Sequence, residues 1–279
     1  MVTRQVASYA EFRKKALKKE EILYVKYLIR PLSTRLSWLL LKKYPKVNPN
    51  QVTMSAFCIG LIGSSLVFFA RSSVEVVIAS LILYFWNVFD CVDGEIARFK
   101  DMKTPTGFFL EITFDYLIIA ILPFGVSFYL YKSFIQTNVL FLGFADCVLL
   151  LFYALANANY SWTLFKFTSQ PSSARVIEPK LTESQVMKRF GGKLSLVNRH
   201  TIQIWQIIFR IGNFLIQSSY MVLMLIILAL IDVLFKPEIT LWNQKVTTLH
   251  IFLLLYLLLI PVCISMFISE YVSLKTRLE

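Results

Sequence analysis

Charge is scarce in this 279-residue sequence. Only 16% of residues are Asp, Glu, Lys or Arg, against 57% hydrophobic residues and a mean hydropathy of +0.62, which lies outside the soluble range and inside the membrane class. Cysteine and histidine are rarer still. Cys58, Cys91, Cys147 and Cys263 each fall in an apolar segment, without paired spacing or a metal-type cluster, so they read as reduced packing residues and not as a disulfide framework. Residues 1–50 lack a short apolar core followed by a small-residue cleavage site. No secretory signal is expected, and the first apolar run must direct insertion. Internal repeats and low-complexity tracts are also missing.

What is present is length of apolar run. A bilayer core of about 30 Å needs roughly 20 residues of helix, and six runs qualify: about 52–70, 75–97, 107–131, 136–160, 204–235 and 246–270. The predicted fold class is an all-α integral membrane protein with six transmembrane helices. Residues 1–50 form a basic, amphipathic N-terminal region, and 51–279 form one six-span domain.

Lys and Arg set the orientation. Of 29, twelve lie in residues 1–50, three in the loop after span two, seven in 166–199 and two in the C-terminal tail. Arg71, Lys132, Lys236 and Lys245 alone mark the other side, so both termini are predicted in the cytoplasm. The net charge of +12 then follows from basic flanks facing anionic lipid, and no nucleic-acid partner is implied. Residues 9–21 read as a polar helix outside the bilayer. Residues 22–44 mix Leu, Ile, Tyr and Trp with five cations, which fits an amphipathic helix lying in the interface with a kink at Pro31. Asn50 is a plausible cap for span one.

Four carboxylates break the apolar pattern. Asp90 and Asp93 stand three apart near the end of span two; Gly107, Glu111 and Asp115 stand four apart on one face of span three. Such residues in a membrane segment cost roughly 2.5–3.5 kcal/mol each. If the polar link 99–106 folds spans two and three into an antiparallel hairpin, the acids form an oxygen-rich pocket near the cytoplasmic surface. That pocket suits Mg²⁺ or Mn²⁺, and four carboxylates favour two ions. Gly94, Ala97 and Gly107 offer bare backbone against which a nucleotide can pack, and Arg98 supplies a cation for a diphosphate.

The run Asp90-x2-Asp93-Gly94-x2-Ala97-Arg98, eight residues, then Gly107-x3-Glu111-x3-Asp115 resembles the signature of the CDP-alcohol phosphotransferases. Seven of its eight fixed positions agree; Glu111 stands where the family has Asp, keeping the charge and reaching one methylene further. The resemblance implies transfer of a substituted phosphate from a CDP-linked donor, by preference CDP-diacylglycerol, to an alcohol, with release of CMP. It implies Asp90, Asp93 and Glu111 as metal ligands, Asp115 as the base that takes the acceptor's proton and a further ligand, and Asp90, Gly94, Ala97, Arg98 and Gly107 as the CDP site. Asn50 and Thr53 resemble the family's span-one contacts, and a homodimer is the family expectation.

Other readings compete with this one. An intramembrane prenyltransferase would carry two separated Asp-rich motifs; a cation transporter would place its charges near the midplane; a silent scaffold rests on Glu111 alone. A CDP-linked small alcohol is the alternative donor. Arg199 and Arg210 are candidate acceptor-binding residues, and the 167–199 stretch reads as a connector. Glu95 and Asp101 fall off the motif and read as solvated loop charges. Asp146 and Asp232 are expected to make helix–helix hydrogen bonds, and His250 to be interfacial.

Overall fold

The computed structural model describes residues 8–17, 23–102, 104–169, 218–236, 239–241 and 244–259. Its first long helix starts at a capping box: the Asn48 side chain accepts from the Asn50 amide at 3.0 Å, and Gln51 Oε1 accepts from the Asn48 amide at 3.2 Å. Asn48, and not Asn50, is therefore the cap, because Pro49 fills the first helical position, where a missing N–H costs nothing. The helix that follows, α3 (Pro49–Phe69), has 21 residues, about 31 Å at 1.5 Å per residue and enough to cross a bilayer core.

Before it come α1 (Tyr9–Ala16) and α2 (Arg30–Lys43). Residues Val25–Ile29 lead into α2 as a π-helical turn. The expected kink at Pro31 takes this form: a proline ring collides with the carbonyl four residues back, and a wider turn makes room for it. After α3 come α4 (Ser73–Lys100), α5 (Pro105–Phe134) and α6 (Thr137–Ser169). Ser72 and Thr104 cap α4 and α5 through their hydroxyls.

Among the described residues, four helices are long and apolar enough to cross a membrane. They coincide with the first four predicted runs. The fifth and sixth are represented by α7 (Ser218–Phe235) and α8 (Thr248–Leu258); residues 204–217 and 260–270 lie outside the described residues. Between α7 and α8, Ile239–Leu241 pairs antiparallel with Gln244–Val246. This small hairpin departs from the all-α expectation, its β-branched Ile239, Thr240 and Val246 favouring extended chain.

The chain divides into two units, residues 1–152 with 216–257 and residues 153–215 with 258–279. In the first, α4 is the hub, carrying α1, α2, α3 and α7, while α3 packs against both α4 and α5. Small residues make this possible. A Cβ on Gly63 would come within 2.8 Å of Leu83 Cγ, and one on Gly60 within 3.1 Å of Ile118 and 3.2 Å of Trp86, so the helices approach at bare backbone. Between themselves, α4 and α5 barely touch among the described residues. The predicted hairpin is thus a splayed one, its two arms held by α3.

Several expectations for single residues also change. Cys58, Cys91 and Cys147 are free thiols as expected, but Cys58 is exposed and is not a packing residue; Cys263 lies outside the described residues. Asp232 makes the expected helix–helix hydrogen bonds, accepting from the Thr248 and Leu249 amides and the Thr248 hydroxyl and so capping α8. Asp146 is buried, and neither carboxylate oxygen makes a hydrogen bond among the described residues. His250 is buried, its ring beside Gln136 and Thr247.

Candidate active site at the ends of α3, α4 and α5

Helical spacing puts Asp90, Asp93 and Ala97 on one side of α4, at its C-terminal end. The N-terminal turn of α3 and the first three turns of α5 adjoin it. Thr53, one turn into α3, donates to Asp93 Oδ2 at 2.5 Å and also lies 3.2 Å from the Pro49 carbonyl. Both residues are buried, at 6% and 4% exposure. Asp93 Oδ1 is buried too, and it makes no hydrogen bond among the described residues.

From α5, Glu111 and Asp115 face the same space. Asp115 is in electrostatic range of Asp90, Glu111 and Asp93, and Asp93 is in range of Asp90 and Glu111. Each neighbour disfavours the charge of the others. Phe114, between the two α5 acids, stacks on Phe57 of α3 with ring centroids 4.0 Å apart and planes at 14°. That contact fixes the rotation of α5 about its axis. The four acids thus converge from two helices on one side of α3.

The glycines lie where the side chains crowd. A Cβ on Gly107 would stand 2.9 Å from Asn50 Oδ1 and 3.1 Å from Thr104 Oγ1, and one on Gly94 would stand 3.1 Å from Arg98 Nη1. Asn50 therefore reaches across to the start of α5, and the Arg98 guanidinium folds over Gly94. Arg98 Nε donates to the Ala16 carbonyl at 2.5 Å. Lys15 Nζ donates to the Phe99 carbonyl at 2.8 Å and pairs with Asp101 at 2.7 Å. Lys15, Ala97, Arg98 and Asp101 line a cleft of about 390 Å³.

Phe12 and Ala16 seat α1 against Leu41, Val52, Val92, Ile96 and Phe99, which is why an eight-residue polar helix holds its place. Lys100 Nζ closes the end of α4 onto the carbonyls of Pro45 and Val47. The turn before α3 and the end of α4 are thereby tied beside the acids.

The motif reading missed the back of α4. Glu95 is not a solvated loop charge: it is fully buried and accepts from Arg30 Nη1 at 2.5 Å, Ser33 Oγ at 2.7 Å and Ser37 Oγ at 2.5 Å. A buried carboxylate persists only with such partners. The polar face Arg30, Ser33 and Ser37, at helical spacing in α2, was its signal. Asp101 does stay largely exposed, with a side chain 67% accessible, while pairing with Lys15. Arg199 and Arg210 lie outside the described residues.

A divalent cation is what this donor set fits. Four carboxylates and a hydroxyl are hard oxygen ligands, and the bare Asp93 Oδ1 is an acceptor awaiting a partner. Among the described residues no three acid, His or Cys side chains are gathered as a ligand cage. The acids of α4 and α5 instead lie within electrostatic range of one another beside α3.

Residues 46–178 match the model of the CDP-alcohol phosphatidyltransferase family, a stretch that contains every acid of this site together with Asn50 and Thr53. Compared with curated proteins, the chain matches none.

Proposed function

We propose, from the match of residues 46–178 to the CDP-alcohol phosphatidyltransferase family, that this membrane protein transfers the phosphatidyl group of CDP-diacylglycerol to an alcohol acceptor with release of CMP. One observation carries the reading. Carboxylates from α4 and α5 converge where Thr53 holds one oxygen of Asp93 and leaves the other bare. A set of like charges in an apolar setting is costly on its own, and it makes sense as a receptor for cations and the phosphates they accompany.

In this mechanism Asp90, Asp93 and Glu111, with Asp115, hold Mg²⁺ or Mn²⁺, by preference two ions. When bound, the ions would neutralise the donor diphosphate and ease departure of CMP. Arg98 contributes a fixed positive charge to the same diphosphate. Gly94, Ala97 and Gly107 leave room for the CDP moiety, and Asn50 and Thr53 border it from α3. Asp115 takes the proton of the acceptor hydroxyl as the oxygen attacks the β-phosphorus. Arg199 and Arg210 are proposed to bind an acidic acceptor. A lipid donor is favoured because its acyl chains can stay in the bilayer while the diphosphate enters the site.

The uneven distribution of Lys and Arg supports cytoplasmic termini and a cytoplasmic active site, and the family resemblance supports a homodimer. Purified protein in lipid nanodiscs, given CDP-diacylglycerol, a panel of alcohols and Mg²⁺ or Mn²⁺, should release CMP and form a new phospholipid seen by mass. Product only from a CDP-linked small alcohol and a lipid acceptor would reverse the roles of donor and acceptor. No CMP from either donor type in the presence of both ions refutes the proposal, and cation flux in liposomes without nucleotide would point to transport.

A further inference from the structure

Glu95 stands inside the acid motif, between Gly94 and Ala97, yet it faces away from it. At 100° per residue it lies 200° around α4 from Asp93 and 140° from Asp90. Its carboxylate is fully buried, and three donors from two turns of a second helix meet it: Arg30, Ser33 and Ser37 of α2. The donors are themselves buried, at 7%, 0% and 0% exposure. The network continues outward, Thr34 Oγ1 donating to the Arg30 carbonyl and sharing a hydrogen bond with Tyr9 of α1.

Packing alone does not call for this arrangement. A buried ion pair is often no more stabilising than apolar side chains of the same volume, and what it does supply is register, since each lone pair must meet one donor. Apolar surfaces slide and rotate at little cost, whereas three directional bonds on one carboxylate do not. We infer that the Glu95–Arg30–Ser33–Ser37 network is a rotational lock between α2 and α4 that aims Asp90 and Asp93 at the acids of α5.

The leverage is large. A carboxylate rides roughly 5–6 Å from its helix axis, so turning α4 by about 10° moves Asp90 and Asp93 by about 1 Å. A displacement of that size can cost about 100-fold in rate. The four network residues are positioning residues: they touch neither donor nor acceptor and act through the acids. This inference rests on the phosphatidyl-transfer reading for its kinetic consequence, but the lock itself is a statement about helix rotation.

The test replaces the charged pair by an apolar one, Arg30→Met with Glu95→Leu, and compares it with Arg30→Lys and with Ser33→Ala plus Ser37→Ala. Rotation is read without turnover from the N-ethylmaleimide labelling rate of Cys91, the neighbour of Asp90, in a chain whose other three cysteines are serine. The apolar pair should keep the thermal midpoint within about 3 °C, shift the Cys91 labelling rate at least about 5-fold and lower kcat for CMP release about 100-fold. Arg30→Lys, which keeps the charge and one donor, should recover about a tenth or more of wild-type kcat; the double serine variant should fall between. An unchanged labelling rate overturns the lock. A shifted rate with kcat within about 2-fold of wild type overturns its positioning role, as does a loss of activity that merely follows the fraction unfolded. Wild-type protein without CMP release would sink the phosphatidyl-transfer reading instead, and the labelling rates would still decide the lock.

Discussion

Thr53→Val exchanges a hydroxyl for a methyl of nearly the same shape at a site only 6% exposed. It deletes the 2.5 Å bond to Asp93 Oδ2 and leaves both oxygens of that carboxylate without a hydrogen bond from α3. A hydrogen bond to a charged group contributes about 1.5–3 kcal/mol. If Thr53 holds Asp93 in its working orientation, most of that loss appears in the transition state. At 1.36 kcal/mol per decade, kcat/KM for CMP release should fall about 10- to 150-fold. The fold should survive, because α3 keeps its capping box and its glycine-lined contacts with α4 and α5. Thr53→Ser restores the donor and should restore activity to within about 3-fold. The comparison needs steady-state CMP release and a thermal midpoint for each variant. Wild-type kcat/KM in Thr53→Val, with an unchanged midpoint, would refute the claim that this hydroxyl orients Asp93.

Asp93→Asn keeps an acceptor for Thr53 but removes one of the clustered charges; in EDTA its thermal midpoint should rise by about 2–8 °C for a relief of about 1–2 kcal/mol, while turnover falls at least about 1,000-fold. A lower midpoint in EDTA would show that the acids do not repel one another there. Gly107→Ala places a methyl 2.9 Å from Asn50 Oδ1, the movable end of a side chain, so the donor KM should rise about 5-fold or more with little loss of stability. Gly63→Ala meets the branched body and backbone of Leu83 and should instead cost about 1–3 kcal/mol of stability, read as a lower midpoint, with KM unchanged in the folded fraction. Glu111→Asp installs the residue of the resembled signature but shortens the reach from α5; on the proposed function, Mn²⁺ half-saturation, followed by electron paramagnetic resonance, should weaken about 10-fold or more, and equal affinity would show that reach does not matter.

Much of this site was legible in one dimension because its chemistry is local to two helices. Asp90 and Asp93, and Gly107, Glu111 and Asp115, are neighbours on their own helices by spacing, so the sequence alone puts each set on one face. The four long helices announce themselves by length. What escaped was long-range. Glu95 finds its partners 58 to 65 residues earlier, and nothing near it in sequence marks it as buried. Asn50 was the expected cap, but the role falls to Asn48, since Pro49 takes the first helical position. Lys15 and Ala16 reach the end of α4 across more than 80 residues, a contact that no periodicity encodes. The splay of α4 from α5 had a signal in Ala56, Gly60, Gly63 and Ser64, a small-residue face that lets α3 seat itself against both.

That splay and the clustered charges explain each other. Were α4 and α5 packed directly, as in a simple hairpin, apolar side chains would fill the space between them and four carboxylates would have no room for a ligand. With α3 packed against both, the two helices make few direct contacts among the described residues. The forces that hold the acids there come from elsewhere: the Thr53 hydroxyl, the Phe57–Phe114 stack, the Lys100 contacts with Pro45 and Val47, and the Glu95 network behind α4. Thr53 and Phe57 act from α3, Lys100 at the end of α4 and Glu95 from behind α4, so relaxing one leaves the others in place. A low-dielectric surround strengthens the repulsion among them and equally strengthens their attraction for a cation. On the proposed function, the same rigidity that makes the site costly without a cation would favour the charge pattern of a metal-bound diphosphate, because little freedom is left to lose on binding.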